Sequence, residues 1–310
     1  MPVPSPLSGL RLPAIAAPMF LISNPDLVVE VCRSGLVGAF PALNQRTTEG
    51  FEAWMTEIAQ RLAASEGAAP WGVNLVVHKT NARLEADLDA IVRHKVPLVI
   101  TSLGAVRDVV DAVHAYGGLV FHDVISRRHA EKAAEAGVDG IIAVCAGAGG
   151  HSGTLSPFAF VTEIRSFFAG TIVVSGAISH GRDIAAVRAM GGDLAYIGTR
   201  FIATTEADSS AGYRQMILDS GTTDIVYTPK VSGVNANFLR PSMEASGMDP
   251  DDLVAPGGLN LASAWKTVWS AGHGVAGIND VLGAAELCAR LRAEYAEAVK
   301  ALASDPYLGR

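Results

Sequence analysis

Eight short apolar runs recur along this 310-residue chain, and each is followed by a longer segment whose apolar residues return at helical spacing. The runs are 14–19 (AIAAPM), 36–43 (LVGAFPAL), 71–77 (WGVNLVV), 97–102 (PLVITS), 118–124 (GLVFHDV), 140–146 (GIIAVCA), 171–178 (TIVVSGAI) and 194–201 (LAYIGTRF). None alternates cleanly between apolar and polar residues. Both faces of each strand must therefore be covered, as in a parallel sheet flanked by helices. The helical segments carry their own boundary signals: Asn24 stands ahead of PDLVVEVCRS, and Ser126 opens SRRHAEKAAEAG, which stops at Gly137. Eight such strand and helix units predict an α/β fold of the (β/α)8 barrel type, with the site at the carboxyl ends of the strands. A doubly wound sheet is the alternative. It calls for a glycine fingerprint after the first strand, and APMFLISNPD contains no G-x-G-x-x-G.

The rhythm breaks after the eighth run. Residues 207–262 are dense in turn formers, so the chain is read as a first barrel part over 1–206, an inserted substrate or lid domain over 207–262, and a return to the barrel over 263–310. The return carries a final helix within INDVLGAAELCARLRAEYAEAVKALAS. Mean hydropathy is high, at +0.29, yet no apolar run approaches the roughly 20 residues that a membrane helix needs. The excess belongs to buried strands or to a homo-oligomer interface. A formal charge of −7, spread without basic clusters, argues against a nucleic-acid partner. The proline-rich N-terminus does not read as a secretory signal. Three cysteines, 32, 145 and 288, spell neither a disulfide framework nor a metal motif, which fits a reducing cytoplasm.

The residues that end each run are the ones to weigh: Met19, Asn74, Ser102, His122 with Asp123, the segment CAGAGGHSG (145–153), SGAIS, and GTRF. Gly176 and Ala177 after the seventh run, with Gly198 and Thr199 after the eighth, occupy the place where such barrels hold a phosphate. The same glycines would also serve tight turns, and both readings stay open. Within CAGAGGHSG a single histidine, His151, is set among four glycines. Backbone that flexible leaves room for a flat ligand, and an imidazole titrates where a general base is useful, although a lone loop histidine also occurs as a solvated surface residue. No lysine falls at a strand end except Lys79 nearby, which disfavours Schiff-base chemistry. The His122–Asp123 pair alone is too little for a metal site. No nucleophile elbow or P-loop is present.

AAPM, WGVNLVV, AGAGGHSG, VVSGAIS with GRD, IGTRFIAT and VWSAGHGVAGIND follow one another in the order seen in the nitronate monooxygenase family, formerly the 2-nitropropane dioxygenases. The chain resembles that family over nearly its whole length. The resemblance implies a barrel that binds FMN non-covalently and oxidises alkyl nitronates with O2 to a carbonyl compound and nitrite. It implies His151 as catalytic base, and phosphate held by Gly176, Ala177, Gly198 and Thr199 beside Ser175. It further implies ring contacts from Pro18, Met19 and Asn74, with Asp123, Gly149 and Gly150 nearby, and Ser270 and Gly272 of WSAG closing the site. FMN-dependent NAD(P)H reductases of enoyl thioesters or quinones share the AGGH loop and form the alternative.

Three departures matter. Ala177 stands where the family has a second glycine. Asp123 stands where many relatives have lysine, and a carboxylate there would disfavour a negatively charged ring. In place of an arginine-bearing TGRxAR-like segment, SGVNANFLRPS offers Asn235, Asn237 and Arg240, so the choice of substrate stays open.

Overall fold

The computed structural model describes residues 4–5, 7–78, 80–104, 106–252 and 267–307. Eight parallel strands close a barrel. They are β1 (Ala14–Ala16), β2 (Val37–Pro41), β3 (Trp71–Val76), β4 (Leu98–Ser102), β5 (Leu119–Val124) and β6 (Gly140–Val144). After β7 (Gly150–His151), a two-residue strand outside the barrel, come β8 (Thr171–Ser175) and β9 (Leu194–Ile197), and β9 pairs back onto β1. Every apolar run contains one barrel strand, so the eight-unit expectation holds. Six of the eight runs overshoot their strands at the carboxyl end, the fourth and fifth ending with theirs. The eighth run is a strand only to Ile197, because Thr199–Ile202 turns into a short helix.

Strand parity divides the apolar residues into two layers. Ile15, Val37, Leu98, Phe121, Ile142, Val173 and Leu194 fill the barrel interior, joined by Leu7 from a 3-10 turn ahead of β1. Their neighbours Val73, Val99, Val120, Ile141, Ile172 and Ala195 face outward into a larger core shared with the helices. The helix boundaries form for the reasons read from the sequence. Asn24 Oδ1 accepts the Leu27 N–H at 2.9 Å, Ser126 Oγ accepts that of His129 at 3.4 Å, and Gly137 ends its helix at φ 87°.

The final helix starts later than its sequence pattern suggests, at Ala284, and ends at Ala303. The residues before it are held extended by the end of the barrel. The buried Arg200 guanidinium donates to Asp280 Oδ1 at 2.7 Å and to the Asp280 carbonyl at 3.2 Å. Thr205 N donates to the Leu282 carbonyl at 2.9 Å, and Glu206 Oε2 accepts from Ala284 N at 2.8 Å. The arginine of GTRF thus ties the eighth strand to the returning chain.

Between 207 and 252 the chain forms a helix (Ala211–Asp219), strands β10 (Ile225–Thr228) and β11 (Ala236–Leu239), and a second helix (Arg240–Ala245). β10 and β11 pair antiparallel, and β11 pairs antiparallel with β7. Val231, Ala236, Phe238, Met243, Met248 and Val268 make a small core of their own. The end of the expected insertion and the start of the expected return, residues 253–266, lie outside the described residues.

The last helix docks on the helix Gly181–Ala189 through a close backbone approach. A Cβ on Gly181 would lie 2.0 Å from the Leu291 carbonyl and 2.3 Å from Tyr295 N. Gly181→Ala should therefore cost about 2–3 kcal/mol, the upper range for overpacking, in urea unfolding. Wild-type stability in that variant would contradict this docking.

Candidate active site

Parity also builds the site. The residues that fill the barrel interior alternate with outward ones, and inward positions near the carboxyl ends of several strands are polar: Asn74 on β3, Ser102 on β4, Asp123 on β5, Ser175 on β8 and Tyr196 on β9. All five line one cavity of about 590 Å³ at the carboxyl ends of the strands. Pro18, Met19, Gly149, Gly150, His151, Gly176, Ala177, Gly198, Thr199 and Ser270 line the same cavity. Gly272 does not. It lies behind the glycine loop, where its N–H donates to Thr199 Oγ1 at 2.9 Å, and a Cβ there would fall 2.3 Å from the Gly147 carbonyl.

The glycine segment is not the loose loop that its composition suggests. Gly150 and His151 are β7, paired with Asn237 and Ala236 of β11 in a three-stranded antiparallel sheet. Asn237 is buried and clamps both sides of the histidine. Its Nδ2 donates to the Ala148 carbonyl at 2.7 Å and to Ser152 Oγ at 3.1 Å. Ser152 N donates to the Asn235 carbonyl at 3.3 Å, and Tyr227 O–H to the Ser152 carbonyl at 3.1 Å. The glycines serve close approach instead: a Cβ on Gly149 would sit 2.9 Å from Gly272 N and 3.0 Å from Thr199 Oγ1. His151 lines the cavity and keeps exposed surface. Partial burial nonetheless lowers its pKa below the ordinary 6.5, which leaves the imidazole neutral at neutral pH.

A chain of side-chain hydrogen bonds runs along the cavity wall. Asn74 Nδ2 donates to Ser102 Oγ at 2.8 Å and to the Ile100 carbonyl at 3.2 Å, and Ser102 Oγ donates to Asp123 Oδ2 at 2.6 Å. Asp123 Oδ1 is buried with no hydrogen-bond partner. Burial pushes the Asp123 carboxyl up to about 6, against the lowering effect of the Ser102 bond. Tyr196 is held well above the phenol range by burial and by its proximity to Asp123. His122, one residue earlier and on the opposite face, shares a 2.8 Å hydrogen bond with Thr101 Oγ1; burial, with His129 adding to it, drives its pKa down to about 4. It is a buried neutral side chain outside the cavity.

Sequence reasoning passed over Tyr196 and the stacked pair Tyr213 and Trp269, whose ring centroids lie 4.8 Å apart in the cavity wall. Parity along LAYI could have flagged the first. The pair, 56 positions apart in the chain, carries no local signal. The three cysteines are buried, and burial raises each thiol to about 12, so none is a nucleophile. Among the described residues no group of three metal-ligating side chains occurs and no helix is long and apolar enough to cross a membrane. Lys79 lies outside the described residues.

A parallel (β/α)8 barrel with a histidine and a small-residue cleft at the carboxyl ends of its strands is the architecture of a barrel enzyme with its site at that face. Residues 81–246 match the family model for nitronate monooxygenase, and the chain belongs to that flavin-dependent family. A nitronate monooxygenase of Paraburkholderia phytofirmans is 26% identical over 353 aligned positions that cover 96% of both chains. The structure of FabK from Thermotoga maritima superposes with a TM-score of 0.80 at 22% identity, covering 96% of this chain and 97% of that one. A nitroalkane oxidase from Streptomyces ansochromogenes superposes at 0.78 with 24% identity, covering 94% and 97%. At these identities the two superpositions speak for the fold.

The Asn237 clamp is directly testable. Asn237→Ala strands the Ala148 carbonyl and should lower stability by about 1–3 kcal/mol. It should also speed amide exchange at Gly150 and Ser152 while exchange in the barrel strands stays as it was. Unchanged exchange at those two amides would contradict the clamp.

Proposed function

We propose that the chain binds FMN in this cavity and oxidises alkyl nitronates with O2 to a carbonyl compound and nitrite, with His151 as the base that forms the nitronate from a neutral nitroalkane. The observation that carries this reading is the placement of His151. It is an imidazole with its pKa lowered by burial, on a clamped strand at the edge of a cavity whose wall offers backbone, small residues, apolar side chains and the polar strand-end groups Asn74, Ser102 and Asp123, with no lysine or arginine among the described lining residues.

The residues suit a flat ring with a phosphate tail. The volume lies within the range of small-molecule pockets, about 300–1,000 Å³. Where a phosphate would rest, Gly176 is at φ 136° and a Cβ on it would meet the Ala146 carbonyl at 2.7 Å, so backbone forms the wall. Gly198 has nothing nearer than 3.8 Å, which leaves its backbone open toward Ala17 and Met19. Ala177 takes the left-handed conformation at φ 55° without being glycine, and its N–H is directed at the Gly147 carbonyl at 3.3 Å. Ser175, Gly176, Gly198 and Thr199 are then the main phosphate-side residues, with Ala177 a lesser one. Pro18, Met19, Asn74 and Asp123 would border the ring, Gly149 and Gly150 would face it from the loop, and Ser270 would close the rim with Gly272 supporting from behind.

Bound FMN would supply the electron transfer and the reaction with O2. The protein's own part is to take the α-proton at the His151 imidazole and to hold the resulting anion beside the ring. Residues 207–262 are taken as the substrate domain and 263–310 as the return to the barrel, because β11 of that domain aligns the catalytic strand. The free buried thiols accord with a reducing compartment such as the cytoplasm.

His151→Ala should reduce turnover of a neutral nitroalkane by about 10²–10⁴, the usual worth of a positioned base, and leave a preformed nitronate within about tenfold of wild type. Equal losses on both substrates would remove the base assignment. The base works unprotonated, so kcat/KM for the nitroalkane should hold above the His151 pKa and fall only as pH drops through a value below 6.5. A break at or above 6.5 in the wild type would contradict the lowered pKa.

A further inference from the structure

The carboxyl of Asp123 presents an unusual combination. Ser102 has one hydroxyl hydrogen, and it is committed to Asp123 Oδ2 at 2.6 Å, with Asn74 Nδ2 donating to Ser102 Oγ at 2.8 Å and fixing its direction. Oδ2 is therefore the accepting oxygen. A proton on this carboxyl belongs on Oδ1, the buried oxygen with no partner in the protein. The charged alternative is poorly served. No lysine or arginine is among the described residues that line the cavity, whose titratable side chains are Asp123, His151, Tyr196, Asp208 and Tyr213. Tyr196, facing Asp123 from β9, stays un-ionised through the neutral range, and Tyr213 is likewise raised by burial. From β4 and β3 come only the neutral Ser102 and Asn74, and from β6 the apolar Ile142 and Val144. On the other face of β5, His122 is neutral above about pH 4, with His129 beyond it.

We propose that Asp123 is a proton-holding positioning residue: it meets the ring that fills the cavity as a neutral acid with its proton on Oδ1, so that loading the cavity takes up a proton from solvent at this carboxyl. The reason is additive desolvation. The wall alone raises Asp123 to about 6, and a flat ring laid over it displaces the remaining cavity water and disfavours the ion further. The penalty that a carboxylate would impose on a negatively charged ring is thereby avoided, because the group is no longer an anion when the ring is present. This inference rests on the reading of the cavity as an FMN site.

The test is the affinity of the apo-protein for FMN, read by flavin fluorescence between pH 5 and pH 8.5, in wild type, Asp123→Asn and Ser102→Ala. The FMN phosphate titrates in this range for every variant, so the ratio of Kd in wild type to Kd in Asp123→Asn isolates the carboxyl. That ratio should be flat at low pH, rise up to about tenfold per pH unit once the pKa of Asp123 in the empty cavity, about 6, is passed, and level off above its higher pKa in the loaded state, because between the two the wild type must take up a proton that the amide does not need. Ser102→Ala removes the one bond that lowers the pKa and should move the break to higher pH. Calorimetry at pH 7 in two buffers of different ionisation enthalpy should show more protons taken up on binding by wild type than by Asp123→Asn. A ratio constant across the range, or equal proton uptake in the two proteins, overturns the role of Asp123 and leaves the FMN site standing. Failure of wild type to bind FMN at any pH overturns both.

Discussion

The pairing of β7 with β11 is the constraint on which the site depends. A histidine among four glycines would sample many positions if the chain left it alone, and a base that samples many positions is a poor one. Here two residues of the glycine segment are the edge of an antiparallel sheet, and the buried Asn237 amide grips the backbone on one side of His151 and the Ser152 hydroxyl on the other. The glycines then do a different task. They let the segment lie against Gly272 and Thr199 without Cβ atoms in the way, so the small-residue wall and the clamp are parts of one arrangement.

Beneath that arrangement lies the ordinary physics of the barrel. Period-two alternation sends Leu98, Phe121 and Val173 inward to fill the interior. It sends Ser102, Asp123 and Ser175 inward one or two steps later, where the interior opens into the cavity. One rule thus produces both the packed base and the polar mouth. The cost is a carboxyl set in a wall that offers it one hydrogen bond and no counter-charge, and burial there pushes its pKa up to about 6.

The barrel was legible because its determinants are local. Uninterrupted apolar runs, Asn24 and Ser126 as caps and Gly137 as a stop each act within a few residues of themselves, and each forms as read. The cavity residues were legible for a related reason, since strand ends in a barrel converge. What the sequence concealed is non-local. Nothing near His151 announces that Ala236 and Asn237, some 85 residues on, will turn a flexible loop into a strand. Nothing in INDVLGAA announces that Asp280 will be taken by Arg200, which delays the last helix to Ala284. Gly272 was expected in the cofactor wall because of the motif around it, and it proved to stand one layer behind, where only the folded loop shows what it touches.

The central claim is that this cavity directs electrons from a nitronate, not from a nicotinamide, into the bound cofactor. It is tested most directly by mixing the FMN-loaded protein anaerobically with an alkyl nitronate, and separately with NADH and NADPH, while following the flavin absorbance. The account predicts rapid change with the nitronate and slow or no change with either nicotinamide. Rapid bleaching by NADH or NADPH, with the nitronate inert, would contradict it and place the chain among the reductases that share the AGGH loop.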